Sequence, residues 1–235
     1  MITMDAAEIT DHLLTLGSPQ VASHSQKFFK TAPGEYGAGD KFIGIRVPVI
    51  RARLKALSPL PLDTIAKLIC SEFHELRLFA ALALVECFQR ADERGREEIY
   101  HLYQAHHAYI NNWDIVDCSA HKIVGPYLVN HSREPLYQLA DSDTLWQRRI
   151  AVIVCFHFIK QGDFDDILKL SQRLFTDPEE LIHKAVGWML REVGKRDRAR
   201  LESFLNKHYK QMPRTMLRYA IEKFPAELRQ HYLKM

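Results

Sequence analysis

The sequence is poor in the features that mark several large classes of protein. It has four cysteines and no C-x-x-C pair, which argues against a disulfide scaffold or a zinc ribbon. No apolar run approaches the ~18 residues that a membrane span needs. Residues 1–5 have neither the basic nor the apolar region of a signal peptide. We therefore expect reduced thiols, a protein of the cytoplasm or nucleoid, and no membrane partner.

The short motifs of the common cofactor and metal enzymes are also missing. There is no Walker A loop, dinucleotide-binding fingerprint, G-x-S-x-G elbow or H-E-x-x-H pair. The twelve histidines include the adjacent His106 and His107, but none has the spacing of a zinc site. We expect a protein without a bound metal or organic cofactor.

The net charge is small but unevenly distributed. It is +3 overall, yet residues 181–235 carry 13 Lys and Arg against 5 Asp and Glu, and residues 1–180 carry 19 against 24. A basic C-terminal quarter could face the phosphates of a nucleic acid. It could equally be a solvated helix surface, and charge alone leaves both readings open.

Helical periodicity runs through almost the whole chain, and no pattern of period two persists. About twelve helices are predicted, roughly six pairs, with the more apolar inner helices near 76–89, 113–129, 145–160 and 179–195. Asp63 is a candidate N-cap for a helix over 64–70. The prediction is one all-α domain over residues 1–235, a curved solenoid whose inner helices line a concave face.

Similar positions recur at the spacing of stacked helix pairs. Arg148 follows Trp113 by 35 residues, and Lys184 follows Arg148 by 36. A basic residue also precedes a small one by three positions in Arg77 and Ala80, Arg148 and Ala151, and Lys184 and Gly187. Small residues would let neighbouring inner helices approach closely. Successive repeats are then expected to bring Trp113, Asp117, Arg149 and Trp188 onto one surface.

Asp117 is the main candidate for chemistry. It lies four residues after Trp113 and so shares its helix face. Asp117 could equally be the ion partner of an arginine in a neighbouring repeat. Asp114 is expected to act as a capping or dipole-stabilising acid.

Arg148 and Arg149 stand just inside a helix N-terminus, where the helix dipole disfavours a cation. A carboxylate or a phosphate must compensate them. Because adjacent residues point about 100° apart, only one of the two can face the groove squarely. The other is expected to bridge repeats.

The three tryptophans, Trp113, Trp146 and Trp188, all lie near the starts of predicted inner helices. One interpretation is that these side chains pack in the core, since tryptophan is usually mostly buried. The other is that they stack on a sugar or a base.

Four ordered segments together resemble a known family. They are residues 28–37 with 42–48, residues 113–117, residues 146–149 and residues 184–192. Their order and spacing are similar to those of the DNA alkylation repair proteins of the AlkD type, which are DNA glycosylases built of HEAT-like repeats. The resemblance covers nearly the whole chain and implies the same solenoid of about six HEAT-like helix pairs.

The resemblance implies specific roles. Asp117 would be the catalytic carboxylate and Arg149 its partner near the lesion, with Arg148 the second candidate for that place. Trp113 and Trp188 would be aromatic walls against the sugar of the damaged nucleotide. Phe28 stands where the family has a tyrosine, so an apolar wall remains but a hydroxyl is missing. The predicted DNA contacts are Phe28, Arg148, Lys184 and Arg191.

The expected activity is that of a monomeric, monofunctional glycosylase of base excision repair. Its substrate would be double-stranded DNA that carries cationic N3- or N7-alkylated purines, and no cofactor is required. Two alternatives stay open: a DNA-binding relative without base excision that recognises distorted or branched DNA, and a protein-binding helical scaffold.

Overall fold

The computed structural model describes residues 4–234, which form fourteen α-helices and one 3-10 turn. The helices are α1 (Ala6–Leu14), α2 (Pro19–Phe28), α3 (Val47–Leu57), α4 (Leu62–Ile69), α5 (His74–Arg90), α6 (Glu93–Ala105), α7 (Trp113–Leu128), α8 (Glu134–Ala140), α9 (Leu145–Lys160), α10 (Asp165–Arg173), α11 (Glu180–Arg196), α12 (Arg198–His208), α13 (Arg214–Ala220) and α14 (Ala226–Leu233). Within residues 4–234 there is no β-strand, only an isolated bridge between Lys41 and Phe73. The all-α prediction is confirmed, with two helices more than the predicted twelve.

The four predicted inner helices correspond to α5, α7, α9 and α11, and each boundary falls within two residues of the prediction. The predicted N-cap at Asp63 is wrong. Helix α4 begins at Leu62, two residues before the predicted start, with Pro61 at the N-cap and no side-chain cap. Pro61 precedes the helix with an extended backbone, at φ −61° and ψ 144°.

The chain divides into two compact units, one up to Ser119 and the other from Ala120. The division falls inside α7, so the first two turns of this helix belong to the first unit. In the first unit α5 packs against α3, α4 and α6, and α1 packs against α4. Helix α5 is buried on nearly every side, which its many alanines and leucines allow.

In the second unit, helices that follow one another in the chain pack together. Helix α9 packs against α8, α10 and α11, and α11 packs against α12 and α13. A Cβ atom added at Gly187 would lie 2.5 Å from the Met216 carbonyl oxygen and 2.5 Å from the Tyr219 Cβ. The close approach of α11 and α13 therefore requires glycine, as the predicted role of small residues at these positions implies.

A buried carboxylate fixes the segment that precedes α3. The Glu75 side chain accepts hydrogen bonds from the backbone N–H groups of Ile43, Gly44 and Ile45, at 2.9, 2.7 and 3.2 Å. Gly44 has a φ of +89°, a conformation that favours glycine. These bonds hold residues 43–45 against α5 and so position the start of α3.

Among the described helices, none combines the length and the apolar character that crossing a membrane requires.

Candidate active-site residues

The first two turns of α7 carry two of the predicted site residues on one face. Trp113 is the first residue of this helix, and Asp117 follows one turn later; both side chains are half-buried. The Trp113 indole stacks on the Phe29 ring at 5.3 Å between centroids and meets the Phe28 ring edge-on at 5.9 Å. The indole is therefore held in a fixed orientation beside the carboxylate.

Phe28 forms the outer end of this row of rings. It is the last residue of α2 and remains 58% exposed, with its ring 5.1 Å from that of Phe29. The structure thus brings together Phe28 and Trp113, which the sequence analysis assigned to one site. An exposed phenyl ring beside a half-buried indole offers an apolar surface on which a sugar or base could pack.

Behind the row lies a buried histidine that the sequence analysis missed. His74, at the start of α5, is 2% exposed and stacks on Phe42. Its Nδ1 lies 3.2 Å from Asp40, and its Nε2 lies 2.8 Å from Asp114. Burial by itself would lower the pKa of His74, but the hydrogen bonds to Asp114 and Asp40 raise it to about 9. The ring is an imidazolium at neutral pH.

This imidazolium anchors the start of α7. Asp114 accepts a hydrogen bond from the Ile115 N–H at 2.9 Å through one oxygen and binds His74 through the other. Asp114 therefore links α7 to α5 in addition to the helix-terminal role expected for it. Its position fixes the turn from which Trp113 and Asp117 project.

The raised pKa predicts how stability depends on pH. The His74 pKa is about 9 in the folded protein against an ordinary value of 6.5. The stabilisation that it contributes is fully present below about pH 6.5 and is lost as the pH rises through 9. We expect the free energy of unfolding, measured by denaturant titration, to fall across this range. His74→Asn should be less stable at neutral pH and should lack most of this slope; equal slopes would contradict the assignment.

A cleft of about 600 Å³ opens beside the aromatic row. Its lining includes Phe29, Phe42, His74 and Asp114, together with Arg46 to Pro48, where α3 begins. Asp117 does not line it, so the cleft adjoins the predicted catalytic residue without containing it.

In the second unit, Arg148 is occupied by partners of its own. Its Nε donates to Asp177 at 2.6 Å, and its Nη1 donates to the carbonyl oxygens of Ser142 and Asp143 at 2.9 and 3.0 Å. The Asp177 side chain is 2% exposed. The compensating group expected for an arginine at this helix start is therefore a buried carboxylate.

Arg77 repeats this arrangement at the start of α5. Its Nη1 donates to the carbonyl oxygens of Ser71 and Glu72 at 2.9 and 3.2 Å, and its Nη2 pairs with Asp40. Both arginines thus bind the loop five and six residues before them. This recurrence favours a structural role for Arg148, and the DNA contact assigned to it stays a prediction.

Arg149 lies deeper than its neighbour. It is 5% exposed, and its Nη1 donates to the Leu181 carbonyl oxygen in the first turn of α11 at 2.7 Å. Trp146 is 7% exposed and belongs to the core. Trp188 on α11 is only half-buried, and its ring lies 5.9 Å from that of Phe156. Of these two tryptophans, Trp188 keeps a surface that could meet a ligand.

The remaining predicted DNA contacts also lie on α11. Lys184 pairs with Glu180 one turn earlier at 2.9 Å and is partly exposed. Arg191 pairs with Glu222. Lys184 and Trp188 are four residues apart and share one face of the helix. Within residues 4–234, no group of three or more His, Cys, Asp or Glu side chains could hold a metal ion.

Comparisons with known proteins concern the family and the fold of the chain. A family model described as DNA alkylation repair enzyme matches residues 9–224. A solved structure described as a predicted DNA alkylation repair enzyme from Enterococcus faecalis is 19% identical in sequence. It aligns over 89% of this chain and 97% of its own, with a TM-score of 0.68, a likeness that shows the fold. A search of curated proteins found no match.

Proposed function

Because the chain belongs to the family of DNA alkylation repair enzymes, we propose that it is a monofunctional DNA glycosylase. It would hydrolyse the N-glycosidic bond of cationic N3- or N7-alkylated purines in double-stranded DNA. The observation that carries the proposal is that the Asp117 carboxylate and the Trp113 indole lie one turn apart on one face of α7. A carboxylate and aromatic faces are what a cationic sugar requires.

The chemistry needs little beyond electrostatic stabilisation. An alkylated purine already carries a positive charge and leaves without being protonated. As the bond to the sugar breaks, positive charge develops on the sugar. Asp117 would stabilise this charge and position the attacking water. Aromatic faces next to the sugar would add attraction of about 0.5–2 kcal/mol each. Trp113 and Trp188 are proposed for this role, and Phe28 for an apolar wall.

Arg149 is proposed to serve the same reaction near the lesion. Burial holds its guanidinium in place, and the bond to Leu181 fixes one of its nitrogens. A fixed cation of this kind could attract a phosphate oxygen near the lesion.

Trp188→Ala should slow the chemical step more than it weakens binding to undamaged DNA. An indole face attracts a sugar most strongly once the sugar is cationic, so its contribution grows toward the transition state. We expect a loss of up to about 30-fold in the single-turnover rate, which corresponds to about 2 kcal/mol. Rates at saturating protein and melting temperatures would be measured together. A variant that is unfolded, or folded with a normal rate, would show that Trp188 only packs against Phe156.

The proposal is tested by incubating the protein with methylated duplex DNA and counting abasic sites. The same DNA without protein gives the background of spontaneous depurination. Abasic sites above background, without strand breaks, would support a monofunctional glycosylase. If the protein binds the duplex or a branched junction but leaves abasic sites at background, it is the non-catalytic relative. The presence of Phe28 in place of tyrosine favours this alternative.

A further inference from the structure

We propose that a cationic cluster in the second unit is a binding site for backbone phosphates of the DNA. The cluster comprises Lys122 on α7, Lys160 at the end of α9, and Lys195 and Arg196 at the end of α11. None of these residues is among the DNA contacts assigned above. The inference rests on the proposed function, because it takes DNA as the partner.

Two of these cations, Lys160 and Arg196, lie against one aromatic ring. The Lys160 Nζ lies 4.1 Å from the centroid of Phe156, and the Arg196 Cζ lies 5.9 Å from the same centroid. The His121 ring meets Phe156 edge-on at 5.2 Å, and Trp188 lies 5.9 Å away. Phe156 therefore holds two cations beside the tryptophan that is proposed to face the sugar.

The positive charges outnumber the negative ones. Glu192 accepts from Lys195 at 2.6 Å and from Arg196 at 3.0 Å. Among the described residues, Lys122 and Lys160 form no ion pair. The pKa of Lys160 is lowered, mainly by burial and then by the positive charges of Lys122 and Arg196. Four cations and one carboxylate leave an excess that a phosphate would neutralise.

The neighbouring histidines do not add to the charge. The pKa of His121 is lowered to about 4, mainly by burial and then by the positive charges of Lys160 and Lys122. The pKa of His157 is also lowered, mainly by burial and then by the positive charges of Lys160 and Arg133. Both rings are neutral at physiological pH. The two rings therefore leave the excess positive charge of the four cations unchanged.

A simpler reading is that Lys160 and Arg196 only stabilise helix ends, since cations are favourable at a C-terminus. The two readings differ in what removal of the charge does to the fold. A helix-end cation contributes to stability, so its loss lowers the melting temperature. A lysine repelled by its neighbours contributes to binding, so its loss leaves the melting temperature unchanged or raises it.

The test uses Lys160→Gln in the full-length protein and an undamaged duplex as the probe. We expect affinity at low salt to fall about tenfold, as for one lost charge-assisted hydrogen bond. The slope of log K against log[salt] should become shallower by about one, with no dependence on sequence. Lys160→Arg should restore affinity. Lys169→Gln on α10, an exposed lysine with the same change of charge, is the control and should behave as wild type.

The outcomes separate this site from the activity. An unchanged salt slope in Lys160→Gln would overturn the phosphate site, even if the wild-type protein binds and excises normally. A lower melting temperature with unchanged affinity would assign Lys160 to the helix end and overturn it as well. If the wild-type protein bound no DNA at all, both this inference and the proposed function would fall. The expected slope change with no base release would uphold the site and overturn only the glycosylase.

Discussion

Asp117→Asn is expected to reduce single-turnover excision of 7-methylguanine by about 100- to 1,000-fold, while DNA affinity and melting temperature stay near wild type. The amide keeps the shape of the carboxylate but removes the charge that would face the developing oxocarbenium ion. Electrostatic contributions of this kind are commonly worth about 3–4 kcal/mol. The measurement is the rate of base release at saturating protein, so that binding does not limit it.

The matched control is Asp63→Asn, an exposed carboxylate in the first turn of α4. It makes the same chemical change on another helix and should leave excision unchanged. A loss of less than about tenfold in Asp117→Asn would show that the carboxylate is not catalytic. An unfolded Asp117→Asn variant would instead make Asp117 the ion partner of an arginine, the alternative that the sequence leaves open.

Arg148→Met is expected to destabilise the fold by about 3 kcal/mol. The substitution leaves the Asp177 carboxylate buried without its cation, and breaking a buried pair from one side typically costs 3–5 kcal/mol. The lower end applies because Asp177 also accepts the Glu179 N–H at 2.8 Å. The carbonyl oxygens of Ser142 and Asp143 would lose their donor as well. The measurement is the free energy of unfolding in denaturant.

Arg94→Met is the control, because this arginine is 87% exposed and its pair with Glu98 is open to solvent. Its loss should change stability little. Replacing Arg148 and Asp177 together by apolar residues should recover part of the loss, since no unpaired charge remains. A folded Arg148→Met with wild-type stability and weakened DNA binding would restore the DNA contact predicted from sequence.

The sequence predicted the helices well because helical periodicity is a local property. The predicted ends of the four inner helices lie within two residues of the observed ones, and both ends of α9 coincide with the prediction. The failure at Asp63 shows the limit of such reasoning. Several residues near a helix start can serve as the N-cap. Which of them does so depends on the backbone conformation of the residues that precede the helix, here Pro59 to Pro61. Local chemistry alone does not decide this.

The partners of charged residues were much harder to predict. Arg148 was expected to need a carboxylate or phosphate, but Asp177 lies 29 residues away and no local pattern indicates it. His74 was missed for the same reason, since its partners Asp40 and Asp114 are 34 and 40 residues distant. Only the contact of each arginine with its own loop left a signal in the sequence. Ser71 and Ser142, whose carbonyl oxygens accept these bonds, each precede their arginine by six residues.

Of the candidate site, the pairing of Phe28 with Trp113 came from the resemblance rather than from spacing. The common helix face of Trp113 and Asp117 followed from helical geometry. The cluster around Phe156 was not foreseen, because its cations come from three helices that are far apart in the sequence. Only the packing of α11 against α9 brings Arg196 over a ring that Lys160 also covers.

Hydrolysis of the bond between a cationic purine and its sugar is the proposed activity of this protein. Its most direct test uses a duplex that contains a single N7-methylguanine, under single-turnover conditions with a chelator present. The measurement is the identity of the released product, determined by mass spectrometry. We predict free 7-methylguanine and one intact abasic strand for each base released. A duplex that is bound by the protein but yields no free base above spontaneous depurination would contradict the claim.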